Sequence, residues 1–213
     1  MALTDEQQQI ADYTGRLLCG KAYAGSGKTF TLIQFSLKNP DKKILYIVFN
    51  KAIREEAERK FPKNVHCVTS HAMAYARFKE YADKTRQNIS IKEYRDIMGE
   101  DNWQVVKLAV AGLGNFMNSS DRDIMMEHIK KNVENEDKIS SSRFEMALRA
   151  AKNLWEGMID RNSEVPCTAN TLLKLFQLSN PALHTLYDTI LFDEGQDANP
   201  VTLDIVMNNS CQK

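Results

Sequence analysis

The segment Ala22-Tyr23-Ala24-Gly25-Ser26-Gly27-Lys28-Thr29 constrains this chain more than any other. It lies between a short apolar run, Arg16 to Tyr23, which reads as a buried strand, and a stretch of helical periodicity from Lys28 to Leu37. Strand, glycine-rich bend and helix in succession form the frame of a phosphate-binding loop. Gly25 and Gly27 allow the backbone to fold tightly around an anion. Successive N–H groups then face the phosphate oxygens, at the start of a helix whose dipole favours negative charge. Lys28 can reach the β- and γ-phosphates of a nucleotide, and the Thr29 hydroxyl can ligate Mg²⁺. The pattern is G-x-x-x-x-G-K-S/T, with Ala22 where the first glycine usually stands. Ala24, Gly25, Ser26, Gly27, Lys28 and Thr29 are therefore the candidate contacts for ATP.

The rest of the chain supplies a frame for such a loop. Thr4 is placed to cap a helix over 5–14, with Gln7 completing a capping box. Ile44 to Phe49 is a continuous β-branched and aromatic run, suited to a strand buried on both faces. A charged helix over 51–60 follows, ended by Pro62, then a strand at 65–68 and a helix near 71–80. This alternation argues for a parallel α/β sheet. From 81 to 165 only helices are expected, at 91–98, 102–117, 121–131 and 142–160, with Lys130 to Ser142 as a polar connector. A further helix at 168–178 precedes a return to strand character from Tyr187 to Phe192. Pro200 opens a last helix over 200–208.

That last strand ends in Asp193 and Glu194. A phosphate loop needs a carboxylate at the end of a neighbouring strand to hold its Mg²⁺. Asp193 is suited to the metal, and Glu194, one residue on, to polarising an attacking water as general base. A Leu-Phe-Asp-Glu tetrapeptide means little alone; paired with the loop, it completes a site.

Composition narrows the setting. Lys and Arg number 28 and Asp and Glu 28, so any polyanion site must be local. No run of 18 apolar residues suggests a membrane span, and the N-terminus lacks the basic start and apolar stretch of a signal peptide. Cys19, Cys67, Cys167 and Cys211 are scattered, without metal-ligand spacing, and read as thiols of a reducing compartment. A soluble protein of the cytoplasm, or of the nucleus in a eukaryote, is expected, with no membrane partner.

Taken together, the motifs resemble those of the UvrD/Rep-like superfamily 1A DNA helicases. Asp-Glu-Gly-Gln-Asp at 193–197 is close to their D-E-x-Q-D box, and Leu3-Thr4-Asp5-Glu6-Gln7 resembles their adenine-reading element. Ile44 through Arg59 resembles motif Ia, and Thr69-Ser70-His71 the T-x-H segment after it. The wording F-N-K-A-I, H-A-M-A-Y, K-L-F-Q-L and D-E-G-Q-D-A-N-P is similar to the F-box DNA helicase branch and its short bacterial relatives. The resemblance covers nearly the whole chain. It implies an α/β, RecA-like P-loop NTPase sheet over 1–80 and 166–213, split by a helical insertion subdomain over 81–165. It implies that Gln7 reads adenine, that Lys28, Glu194 and Gln196 serve catalysis, with Gln196 coupling hydrolysis to motion, and that Thr29 and Asp193 hold the metal. It also implies that Phe49, Asn50, Lys51, Thr69 and His71 lie on a single-stranded DNA track. Three of these have an ordinary reading too: Phe49 as a core strand residue, Lys51 with Arg54 as a solvated helix face, and His71 as a structural cap. Phe30 departs from the pattern, since many relatives carry Arg directly after Lys-Thr.

The chain stops at Cys211-Gln212-Lys213, where the family begins a strand carrying a G-D-x-x-Q motif. In related sheets that strand lies between the P-loop strand and the Asp-Glu strand, so the sheet is expected to be incomplete at the C-terminus, with unpaired edges. The second RecA-like domain and its arginines are also missing. The expectation is the N-terminal, ATP-binding portion of a 3′–5′ helicase, weakly active or inactive without its remaining C-terminal domain or a partner chain. A non-catalytic nucleotide- or DNA-binding module is the alternative, and another P-loop enzyme such as a kinase a third.

Overall fold

The computed structural model describes residues 3–23 and 25–213, which form ten α-helices and three strands. In chain order they are α1 (Asp5–Ala11), α2 (Lys28–Lys38), β1 (Ile44–Val48), α3 (Lys51–Lys60), β2 (Val65–Thr69), α4 (Ser70–Arg77), α5 (Ile91–Met98), α6 (Trp103–Met117), α7 (Met126–Lys130), α8 (Ser141–Ile159), α9 (Ala169–Leu178), β3 (Thr189–Phe192) and α10 (Pro200–Met207). Two compact units result. One comprises Met1–Met73, Asn180–Ala198 and Ile205–Lys213, the other Ala74–Ser179 and Asn199–Asp204. No helix among the described residues is long and apolar enough to cross a membrane.

The first unit is a small open parallel sheet in the order β2-β1-β3, of the α/β, RecA-like kind. β1 is central, and its apolar run is buried along its whole length, as both faces of a parallel strand require. Ile44, Tyr46 and Val48 share one face, by the two-residue period of a strand. They pack with Phe35 of α2, Ala57 of α3, Phe61, Cys67 and Leu191. Pairing of Val48 with Thr69 and of Ile47 with Phe192 leaves the carboxyl ends of all three strands level.

The run Arg16 to Tyr23 is not a strand, contrary to its apolar composition. Leu17 and Leu18 are 49% and 40% exposed. The segment's ladder contacts come from Lys213, whose N–H donates to Arg16 O at 2.8 Å and whose carbonyl accepts from Leu18 N at 2.9 Å. On its other side, Gln212 O accepts from Ile190 N at 2.7 Å, and Gln212 N donates to Asp188 O at 3.1 Å. Gln212 and Lys213 thus occupy the slot between β3 and residues 16–18. These contacts amount to an isolated bridge at Thr189 and Gln212 and do not extend into a ladder along residues 16–23.

The second unit is helical. α6 buries Val105, Val106, Ala109, Leu113 and Phe116 against Phe144, Ala147, Ala151, Leu154 and Met158 of α8, at spacings of three and four residues. Phe116 meets Trp155 edge to face at 5.3 Å. The helix expected over 121–131 is shortened to Met126–Lys130, and the residues just before it are tied to α9 instead. Lys174, fully buried on α9, donates to Ser119 O at 2.9 Å and to Asp121 O, and lies 4.3 Å from the centre of the Phe116 ring. Gln177 donates to Ser120 O at 3.0 Å.

Burial pulls the Lys174 amine down from 10.5 to about 8, with Asp121 and Asp204 acting against the shift. Below pH 8 the group is protonated whether folded or not. Between 8 and 10.5 the unfolded chain holds the proton more tightly, so folding gains stability as pH rises through that window. Lys174→Met keeps the length of the side chain but orphans two carbonyls, and is expected to cost about 2 kcal/mol in urea unfolding. The wild type's advantage over this variant is expected to widen as the pH is raised through the same window.

Candidate nucleotide-binding site

The glycine-rich loop turns into α2 through two left-handed residues, Gly25 at φ +76° and Gly27 at φ +85°. Left-handed positions of this kind shape anion-binding concavities of backbone N–H groups. Gly27 caps α2 without a side chain, and its carbonyl accepts from Thr31 N at 2.9 Å. A Cβ on Gly27 would lie 2.9 Å from the Gln7 amide nitrogen. That amide donates to Ser26 O at 3.1 Å, while Gln7 Oε1 accepts from Thr4 N at 3.1 Å, closing the capping box of α1. Gln7 is thereby fixed over the loop. Ala24 lies outside the described residues.

The acidic pair meets the loop from β3. Asp193 Oδ2 accepts from Tyr46 Oη at 2.8 Å and from Thr29 Oγ1 at 3.3 Å, and Asp193 Oδ1 from Glu194 N at 3.0 Å. Glu194 takes the left-handed conformation, at φ +52°, which a side-chain-bearing residue adopts at a cost of about 1 kcal/mol or more. The turn brings its carboxylate to 3.3 Å from Lys28 Nζ. Gln196 also donates to Glu194, and to Asp197 at 3.2 Å. The Gln196 amide first, then Lys28, holds the Glu194 carboxyl below the usual glutamate range, so it stays ionised at neutral pH.

A cavity of about 710 Å³ is lined by Gln7, Ser26, Lys28, Asp193 and Glu194, and extends along β3 between Thr189–Phe192 and residues of the 18–22 segment. The donor set fits Mg²⁺ with a nucleotide. One hydroxyl and one carboxylate are what Mg²⁺ takes from protein when substrate phosphates complete its shell. A cage of three or more His, Cys, Asp or Glu is absent among the described residues.

The residues expected on a DNA track fall at the carboxyl ends of β1 and β2, which the register sets side by side. Phe49 is 68% exposed and so is not a core strand residue. Asn50 caps α3, accepting from Ile53 N at 2.9 Å. Lys51 is exposed and pairs with Glu55 one turn on, at 3.6 Å. Thr69 accepts from Ala72 N at 3.2 Å, and His71 is exposed on α4. Sequence reasoning missed Tyr46, whose only signal was one hydroxyl inside an otherwise apolar run.

Gly27→Ala both strains a positive φ and pushes its Cβ against Gln7. The expected result is a loss of about 1–3 kcal/mol in chemical unfolding. Gly25→Ala, which meets nothing within 4 Å, carries the φ strain alone and should cost less.

No family model matches the chain. It is similar to F-box DNA helicase 1 of Gallus gallus, at 34% identity over 230 aligned residues, covering 98% of this chain and 22% of that protein. It is also similar to F-box DNA helicase protein 1 of Schizosaccharomyces pombe, at 32% identity over 233 aligned residues, covering 96% and 26%. The chain spans about a quarter of the length of the curated relatives it matches. Aligned along nearly all of its own residues, this chain is a relative of the F-box DNA helicases.

Proposed function

We propose that this chain binds ATP with Mg²⁺ and is the ATP-binding portion of an ATP-driven, single-stranded DNA translocase or helicase of 3′–5′ polarity. The observation that carries the reading is the meeting of loop and strand end: Lys28 at 3.3 Å from Glu194 and Thr29 at 3.3 Å from Asp193. In this reading the N–H groups of the loop hold the phosphate tail, and Lys28 leaves Glu194 for the β- and γ-phosphates. Thr29 and Asp193 hold the metal, and Gln7 faces the adenine. Bound Mg²⁺·ATP supplies the phosphoanhydride whose cleavage drives movement. Glu194 accepts the proton of the attacking water, and Gln196, already hydrogen-bonded to Glu194, couples that event to motion.

Phe49, Asn50, Lys51, Thr69 and His71 form the DNA side. An exposed aromatic next to a lysine offers the stacking and phosphate neutralisation that single strands require. The proposed division is a RecA-like domain over 1–80 and 166–213 with a helical insertion over 81–165. Arginines that stabilise transition-state charge would come from a further helicase domain or a partner chain.

A fluorescent ATP analogue titrated in Mg²⁺ tests the first step. The wild type is expected to bind it, and Lys28→Ala to lose at least ~10-fold in affinity; a wild type that ignores the analogue overturns the reading. Glu194→Gln is expected to keep binding. When the chain is joined to the remaining helicase region, that variant is expected to lower DNA-stimulated turnover by at least ~100-fold.

A further inference from the structure

Tyr46 stands in the middle of β1, in the run Ile44-Leu45-Tyr46-Ile47-Val48, and is fully buried. Its ring lies 4.4 Å, centre to centre, from that of Phe61 and packs with Phe35 and Leu191. A phenylalanine would satisfy all of that packing. The hydroxyl is the part that packing does not explain, since burying one without a partner is costly. Its partner is Asp193 Oδ2, at 2.8 Å, a shorter contact than the one Thr29 makes to the same oxygen. The two donors meet this oxygen from different elements: Thr29 from α2, Tyr46 from the neighbouring strand. A phenol is a far weaker acid than a carboxyl group, so Tyr46 keeps its proton and donates the bond to the carboxylate.

We propose that Tyr46 is a positioning residue for the metal-binding carboxylate. By holding Oδ2 from the core side, it presets the rotamer of Asp193 and leaves Oδ1 turned towards the Glu194 amide and the cavity. Were Thr29 to turn its hydroxyl to a bound Mg²⁺, the Tyr46 bond would still hold Asp193. This rests on reading the site as an Mg²⁺·ATP pocket. Groups that orient a metal ligand from behind influence affinity without touching the ion, so Tyr46 acts on the metal requirement and not on the phosphate grip of the loop.

The test uses the purified protein and the fluorescent ATP analogue, with Mg²⁺ titrated from an EDTA baseline. Tyr46→Phe is expected to fold, to bind the analogue in EDTA as the wild type does, and to need about tenfold more Mg²⁺ for half-maximal response. Asp193→Asn is expected to raise the requirement as well, and adding Tyr46→Phe to it to change nothing more. A Tyr46→Phe protein with the wild-type Mg²⁺ requirement overturns the proposal. So does a double variant whose effects simply add, and so does a Tyr46→Phe chain that no longer folds, which would make the hydroxyl a stability element. A wild type that binds no nucleotide in either condition sinks the pocket itself, an outcome distinct from all of these.

Discussion

Everything in the sheet unit depends on β1 being paired on both sides. Its residues Ile44 to Val48 are between 0% and 2% exposed, and their N–H and C=O groups can be satisfied only by strands on each edge. Parallel partners bring every carboxyl end to the same side of the sheet. At that end sit Phe49 and Asn50 after β1, Ser70 and His71 after β2, and Asp193 and Glu194 after β3. Ligands of open parallel α/β sheets gather outside the carboxyl ends of the strands for this topological reason. The glycine loop need only run into α2 on the same side for its lysine and threonine to find the two acids.

Much of this was legible in the residues. The β-branched and aromatic run from Ile44 to Phe49 suits a strand covered on both faces, and Ile44–Val48 forms one. Thr4 with Gln7 gave the start of α1, and the Gly-Lys-Thr sequence gave the start of α2, because caps and loop glycines act over a few residues and need no distant partner. The acids at 193 and 194 were legible as a pair. Their placement against Thr29 and Lys28 follows once β3 is parallel to β1.

The parts that could not be read depend on partners far away in sequence. Residues 16–23 have strand composition but gain backbone ladder contacts only where Lys213 reaches Arg16 and Leu18; composition cannot say whether a ladder partner exists. The helix expected from Asp121 begins only at Met126; Asp121 O accepts from buried Lys174, and the Ser119 and Ser120 carbonyls just before it accept from Lys174 and Gln177, more than fifty residues on. The left-handed turn at Glu194 breaks a local preference and is held by contacts to Lys28 and Gln196. Here a distant side chain, Lys28, and the neighbouring Gln196 over-determine a backbone conformation that local preference disfavours. Phe49 shows the converse: an aromatic at the end of a buried run reads as core, but the strand stops one residue earlier and leaves the ring in solvent.

The resting electrostatics of the pocket bear on how the proposed chemistry would be timed. Lys28 and Glu194 neutralise each other, and both are partly exposed, so their attraction is worth little and is readily exchanged. A polyphosphate competes for Lys28 with several oxygens and greater charge, and the loop amides and helix dipole add to its side. Glu194 then loses a cation but keeps Gln196, the larger of the two influences on its carboxyl. Losing Lys28 raises its basicity, because the ammonium had favoured the ionised form, while the Gln196 bond keeps the group oriented. The base would thus strengthen only when the phosphates arrive. The Asp193 carboxylate is held differently: its donors are Tyr46 and the Glu194 amide, neither of which an arriving phosphate would draw away. One acid is anchored to the core and the other to a replaceable surface cation, which is the division that the proposed metal and proton-transfer roles would call for.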